Sequence, residues 1–247
     1  MNIKIYKAEM DAGLAHELES NSSIAYSSLA SPYSPTAEEQ ERAKSLTLAE
    51  GGKSNPDQFD LYYLNSVLVS SGWNNNDDVF DLVETWAARK TPEDKQFNFM
   101  HNENDIIGHI TDNMVVDMAG AEISDDTDFE SLPEKFDIIT SAVLYNSWSD
   151  PDRQERMKAI IEEIEGGKWF VSMECLFRGF DYAAVTPAGD HKIIARNEDS
   201  AFLTKHLRAY GGGGEFEGYK LGRLLRNIAF SGKGLVSNPA NPKSVIL

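Results

Sequence analysis

Cysteine and positive charge are scarce in this chain. Cys175 is the single cysteine among 247 residues, so no intramolecular disulfide can form and a cysteine-rich zinc site is excluded. Only 23 lysines and arginines stand against 40 acidic residues, and the net charge of −17 would repel nucleic acid and anionic membranes. No apolar run approaches the roughly 20 residues of a membrane helix. We therefore expect a soluble, cytoplasmic protein.

The chain also lacks the short motifs that mark common cofactor sites. Its histidines form neither the HExxH pattern nor another strong zinc spacing. The glycine run at 211–214 is not followed by the Lys-Ser/Thr pair of a phosphate-binding loop, and the GxSxG turn of esterases is missing. We expect neither a metal nor another cofactor. The histidines are His16, His101, His109, His191 and His206.

Hydrophobic periodicity and capping signals predict an α+β fold with a mostly antiparallel sheet or barrel surrounded by helices. Chain length favours a single domain over 1–247, and a Ser/Pro-rich segment near 11–35 is expected to be flexible. Residues 95–121 are expected to form short strands around loops. The other predicted strands are 2–8, 60–70, 136–147 (with a short helix as the alternative) and 168–177. The predicted helices are 36–50, 79–88, 151–165 and 197–209.

The remaining candidates for chemistry are serine and histidine. A serine hydroxyl needs an adjacent base to take its proton, and the base needs a third group to fix its tautomer. Ser172 lies in a strand with a buried pattern, where a packed, hydrogen-bonded core serine is the commoner role. The same structural interpretation applies to His101. Composition and periodicity alone therefore do not locate an active site.

Three segments resemble motifs of the prohead proteases of tailed bacteriophages, which are related to the herpesvirus assemblin. VLVSSGWNNNDDVFDLVETWAARK resembles the strand, turn and helix before the family's histidine, and KQFNFMHNENDIIGHI resembles the histidine motif itself. EEIEGGKWFVSMEC resembles the serine motif, and GLVSNPANPKS resembles the closing strand and turn. The resemblance covers roughly residues 60–245. It implies a herpesvirus-protease-like fold with Ser172 as nucleophile and His101 as general base.

The third member of the catalytic group does not transfer cleanly from the family. Glu84, on the helix before His101, could turn inward to hold the imidazole, and a solvated helix carboxylate is the competing interpretation. Glu174 shares the strand face of Ser172, where it lies either near the site or in water at a strand end. Asp81, Asp105 and His206 are the alternatives to Glu84 as the third member.

The resemblance further implies a serine endopeptidase that cleaves scaffold, core and capsid proteins, and itself, inside the prohead in the host bacterial cytoplasm. Homo-oligomerisation stays open, and neither nucleic acid nor a membrane is an expected partner. Relatives often favour glutamate before the cut, which would need a nearby basic residue such as Arg178, Lys168 or Lys192. The competing functions are a non-catalytic prohead core or scaffold protein that keeps the protease fold, and an unrelated binding module.

Overall fold

A computed structural model of the chain describes residues 3–20, 23–25, 58–237 and 246. These residues divide into two compact units. The fold is mixed α+β and consists mostly of β-sheet, which confirms the predicted class. The first unit takes in residues 3–20, 23–24, 71–88 and 175–229, and the second takes in 25, 58–70, 89–174, 230–237 and 246.

Strands and four α-helices alternate irregularly along the described part of the chain. In sequence order the elements are α1 (Lys7–Asp11), α2 (Ala15–Ser20), β1 (Ser23–Ala25), β2 (Leu61–Ser70), β3 (Gly72–Trp73), β4 (Asp78–Phe80), α3 (Leu82–Ala88), β5 (Gln96–Phe99), β6 (Asn102–Asp117), β7 (Phe136–Tyr145), α4 (Pro151–Glu165), β8 (Phe170–Leu176), β9 (Gly179–Val185), β10 (His191–Ile194), β11 (Glu215–Phe216), β12 (Tyr219–Arg226) and β13 (Ala229–Val236).

A seven-stranded sheet in the order β1-β8-β13-β5-β6-β7-β2 forms most of the second unit. Its β2–β7, β6–β7 and β5–β6 pairs are antiparallel, whereas β13 runs parallel to β5. In that parallel pair Gly232 lies opposite Gln96 and Gly234 lies opposite Asn98. This register places two glycines beside two amide side chains.

The seven-stranded sheet is strongly curled. Lys233 on β13 donates hydrogen bonds to Ser66 on β2 (3.1 Å) and to Thr140 on β7 (3.0 Å). β13 and β2 are four strand positions apart, which would separate them by about 19 Å in a flat sheet. A lysine side chain cannot span that distance, so the sheet must bend until β13 and β2 face each other.

Helix α4 covers an apolar cluster of the second unit. Asp150 caps its first turn by accepting from the backbone N–H groups of Asp152 and Arg153, and Pro151 begins the helix. Its buried residues Met157, Ile160 and Ile164 then pack with side chains from the sheet. The buried members from the sheet are Leu64, Phe97, Ile107, Ala142, Leu144, Val171 and Leu235.

The first unit contains the second sheet, in the order β10-β9-β12-β4-β3, with β11 paired to β12. Arg223 on β12 binds the buried carboxylate of Asp78 on β4, with an Nε to Oδ1 distance of 2.6 Å. Arg196 likewise binds Glu9 of α1, which is fully buried. These buried ion pairs link segments of the unit that lie far apart in sequence.

Three predicted elements are wrong, and the predicted helix 79–88 begins only at Leu82, because residues 79–80 belong to strand β4. Residues 3–6 of the predicted strand 2–8 do not form a strand and residues 7–8 begin helix α1, because the Glu9 side chain accepts the Tyr6 backbone N–H and is held by Arg196. Residues 102–117 form one long strand, β6, whose bulged register lets it pair on both sides despite its polar stretches. Residues 197–209 form 3-10 turns and not an α-helix. The predicted helix 36–50 lies outside the described residues.

Within the predicted flexible segment near 11–35, residues 15–20 form helix α2 and residues 23–25 form strand β1. Residues 26–35 lie outside the described part of the chain. None of the described helices is both long enough and apolar enough to cross a bilayer.

Candidate active site

His101 lies in a tight turn between β5 and β6. Phe99 pairs with Asn102, and the two residues between them, Met100 and His101, have φ values of 54° and 56°. Two consecutive positive φ values are typical of a type I′ hairpin turn, which favours Asn and Gly because other side chains are strained there. The turn therefore holds His101 in a backbone conformation that its residue type disfavours.

The imidazole of His101 binds the carboxylate of Glu174 on β8. Its Nδ1 atom lies 3.0 Å from Oε1 of Glu174, and the two side chains are only 6% and 8% exposed. Burial strengthens a hydrogen bond between these groups because little water competes for either partner. The structure thus gives His101 a carboxylate partner within the second unit.

Two amides complete the surroundings of the Glu174 carboxylate. Asn98 donates to Oε1 at 2.6 Å, and Gln96 donates to Oε2 at 3.2 Å. Burial alone would raise the pKa of the Glu174 carboxyl, but the hydrogen bonds from His101, Asn98 and Gln96 outweigh this effect and lower the pKa below 4.5. The carboxylate is therefore ionised at neutral pH.

An ionised Glu174 fixes the tautomer of His101. Because a carboxylate only accepts hydrogen bonds, Nδ1 must carry a proton, and in the neutral ring the lone pair then lies on Nε2. Nε2 is buried, and within the described part of the chain it has no hydrogen-bond partner. A buried lone pair held in this way can take a proton from a hydroxyl or accept a hydrogen bond from a ligand.

Ser172 lies on the same strand as Glu174, two residues earlier. Side chains two apart on a strand point to the same face about 7 Å apart. Ser172 thus shares the face that carries the carboxylate of the His101–Glu174 pair. Its exposure is only 3%. Cys175 is fully buried, and burial raises the pKa of its thiol to about 12, as expected of a core residue and not of a nucleophile.

The four sequence-based candidates for the third member have partners other than His101. Glu84 lies in the first unit, where it accepts from the backbone N–H of Asn227 at 2.8 Å and lies 3.7 Å from Arg226. Asp105 forms a two-bond pair with Arg156, at 2.8 and 2.6 Å. Asp81 lies 3.6 Å from Arg226, and His206 packs against the ring of Phe216.

The basic residues proposed for substrate recognition are all at the surface. Lys168 pairs with Glu163 at 3.3 Å, while Arg178 and Lys192 are exposed residues of the first unit. A cavity of about 90 Å³ in the second unit has two further arginines in its lining, Arg153 and Arg156. This volume would hold a side chain but not a larger ligand.

Sequence reasoning did not identify Asn98 and Gln96 as members of the site. Their alternation in QFNF, two residues apart and just before the histidine turn, is the signal that could have found them. Glu174 could be placed on the Ser172 face but not given a role, because strand alternation predicts a face and not a partner. Among the described residues, no group of three or more His, Cys, Asp or Glu side chains is arranged to hold a metal ion.

Comparisons of the chain with protein-family models, with curated proteins and with solved structures gave no match. The resemblance to the prohead proteases therefore stays a prediction from sequence motifs.

Proposed function

We propose that this chain is a serine endopeptidase in which Ser172 is the nucleophile, His101 is the general base and Glu174 orients the imidazole. The observation that carries the proposal is the 3.0 Å contact between His101 Nδ1 and a buried, ionised carboxylate. A base of this kind uses one ring nitrogen for the carboxylate and the other for the serine proton. Glu174 thereby takes the role for which Glu84 was the sequence-based candidate.

The proposed reaction is acyl transfer. The Ser172 Oγ atom attacks a peptide carbonyl while His101 Nε2 takes its proton, and the resulting imidazolium then protonates the leaving amine. Water, deprotonated by the same nitrogen, releases the acyl group from Ser172. The negative charge on Glu174 stabilises the imidazolium during both steps, and backbone N–H groups would stabilise the oxyanion.

The motif resemblance supports a role in prohead maturation. The substrates would be scaffold, core and capsid proteins inside the prohead, together with the chain itself. For an acidic side chain next to the cut, the cavity lined by Arg153 and Arg156 has the required charge. Asp105 already neutralises part of that charge through its pair with Arg156.

A second candidate function is a non-catalytic core or scaffold protein that keeps this fold. The observation that favours it is the burial of Ser172, which is 3% exposed. A nucleophile must reach its substrate, so catalysis by Ser172 requires the chain to rearrange before the first turnover. A scaffold protein would need no such change.

Labelling with a fluorophosphonate probe, a general reagent for activated serines, tests the proposal. We expect peptide mass spectrometry of the full chain to find the adduct on Ser172, and intact mass measurement to find slow self-cleavage. Both signals should disappear in S172A and H101Q. E174Q should slow both by about 10⁴-fold, as expected when a base loses the partner that fixes its tautomer.

Two matched variants serve as controls. S147A removes an exposed serine, and E84Q neutralises the other candidate carboxylate; both should leave the two signals unchanged. A loss of labelling in E84Q but not in E174Q would return the orienting role to Glu84. A folded wild-type chain with neither adduct nor self-cleavage would refute the protease and favour the scaffold protein.

A further inference from the structure

Three neighbouring strands of the second unit contribute to the candidate site. β13 lies between β8 and β5 in the sheet. Glu174 belongs to β8, and its two amide partners, Asn98 and Gln96, belong to β5. The hydrogen bonds that hold the carboxylate therefore cross over β13, the strand between them.

The middle strand has no side chains where these bonds cross. Gly232 and Gly234 lie opposite Gln96 and Asn98 in the parallel β13–β5 pair. β8 and β5 are two strand spacings apart, or about 9.6 Å. Side chains from β8 and β5 can meet across that gap only if none stands between them, which two glycines on one face of β13 provide.

The distances around the two glycines show how closely the site rests on them. A Cβ atom on Gly232 would lie 2.6 Å from Oε2 of Glu174 and 2.9 Å from the carbonyl oxygen of Gln96. A Cβ atom on Gly234 would lie 2.9 Å from Nδ1 of His101 and 3.0 Å from Oδ1 of Asn98. Each added methyl group would thus overlap an atom of the hydrogen bonds that orient the imidazole.

We propose that Gly232 and Gly234 are positioning residues, which form a glycine floor on which the His101–Glu174 pair rests. This inference depends on the proposed function for its catalytic meaning, and its geometry can be tested without activity. The role is steric: the floor permits the carboxylate to bridge β8 and β5, and the carboxylate in turn holds the imidazole. Lys233, between the glycines, points to the opposite face and is not part of the floor.

A double-mutant cycle on the full chain tests the floor. G234A should lower the urea midpoint of unfolding in the wild-type background, because the new methyl group displaces the His101 ring. In the H101A background the ring is gone, so G234A should lower the midpoint by less than half as much. H101A/G234A should fold even if G234A does not. An equal loss in both backgrounds, or a double variant that fails to fold where H101A folds, would overturn the proposal.

The nitrogen NMR spectrum of the imidazole provides a readout that a general loss of stability would not change. We expect G232A to shift the Nδ1 signal of His101, because the Glu174 carboxylate is displaced. The matched control is I107A, which opens a cavity in the same unit at a residue that is 1% exposed. It should lower stability and leave the Nδ1 signal in place. Equal Nδ1 spectra for G232A and wild type would refute the floor.

Activity separates the two proposals. If the chain cleaves peptides, G232A should lower kcat by about 100-fold, as expected for an ångström-scale misplacement, with little change in KM. If the chain cleaves nothing but the effects of G234A and H101A on stability are coupled, the floor stands and the protease is refuted. If the chain cleaves peptides and G232A matches wild type in both kcat and the Nδ1 signal, the protease stands and the floor is refuted.

Discussion

At the scale of single residues, the Met100–His101 turn holds a catalytic candidate in a strained conformation. Left-handed backbone costs a residue other than Gly, Asn or Asp about 1–2 kcal/mol. The Met100 side chain is 49% exposed, so its packing does little to offset this cost. The contact that Met100 makes with β13 comes from its backbone N–H, which donates to the Leu235 carbonyl. The cost at Met100 can therefore be removed without touching the imidazole.

M100N should raise the free energy of unfolding by about 1 kcal/mol, because Asn tolerates the left-handed region better than Met. Urea denaturation measures the change. M118N is the matched control, since Met118 is also partly exposed, at 39%, and does not have positive φ. It should leave stability within about 0.5 kcal/mol. An equal gain in both variants would mean that exposure, and not backbone strain, is the cause.

The hydrogen bond from Asn98 should help to keep the pKa of Glu174 low. In N98L the carboxylate loses its 2.6 Å donor, so the pKa of Glu174 should rise, which carbon NMR of the labelled carboxyl can follow. Q96L removes a longer bond of 3.2 Å and should raise that pKa less.

The sign of the matching stability effect follows from linkage. A carboxyl whose pKa is lowered by folding stabilises the protein above its unfolded pKa, and this contribution is lost as the pH falls through the folded value. The stability difference between wild type and N98L should therefore be present at neutral pH and shrink below about pH 4.5. A difference that stays constant with pH would mean that packing alone is responsible.

At the scale of elements, β13 has opposite requirements on its two faces. One face presents the glycine floor to the site, and the other presents Lys233, which is fully buried against Ser66, Thr140 and the ring of Phe97. The two hydroxyls do not offset the loss of water around an ammonium group. Burial lowers the pKa of Lys233 from 10.5 to about 7.

This lysine should make stability depend on pH. Between pH 7 and 10.5 the unfolded chain holds a proton on Lys233 that the folded chain has released, so stability should rise with pH by up to about 5 kcal/mol. K233M should remove this slope and be the more stable protein at pH 7 and below. Urea unfolding of both proteins from pH 6 to 9 measures the difference.

Subtracting the stability of K233M from that of wild type at each pH cancels the contributions that other titrating groups make to both proteins. Burial also raises the pKa of Cys175 and Tyr182 to about 12, which lowers stability at high pH in wild type and in K233M alike. Parallel stability curves for the two proteins would contradict a neutral buried amine. They would mean instead that Lys233 keeps its charge in the folded state.

At the scale of the whole molecule, sequence patterns predicted the elements whose stability is local. The α4 helix begins at the Asp150–Pro151 signal and ends before Gly166, as its caps indicate. β2 and β8 follow their apolar patterns. α1 did not follow its pattern, because its conformation depends on Arg196, far away in the chain.

The difference between local and long-range interactions also explains which parts of the site could be predicted. The motif resemblance selected His101 and Ser172, and strand alternation placed Glu174 on the Ser172 face. The contact between His101 and Glu174 depends on the order β8-β13-β5, which no local pattern encodes. Chain length favoured a single domain over 1–247, and this stays a prediction. The two compact units are each assembled from segments far apart in the chain, so no local sequence pattern marks them.

The turn at Met100 and His101 has a consequence for directed evolution of this protein. A library screened for protein abundance alone should enrich Asn or Gly at both turn positions, since each replacement relaxes the backbone. Variants enriched for a substitution at residue 100 would keep every atom of the proposed site, whereas those enriched for a substitution at residue 101 would lack the imidazole. Such a screen would select better-folding proteins that have lost their chemistry, unless cleavage is scored in the same round.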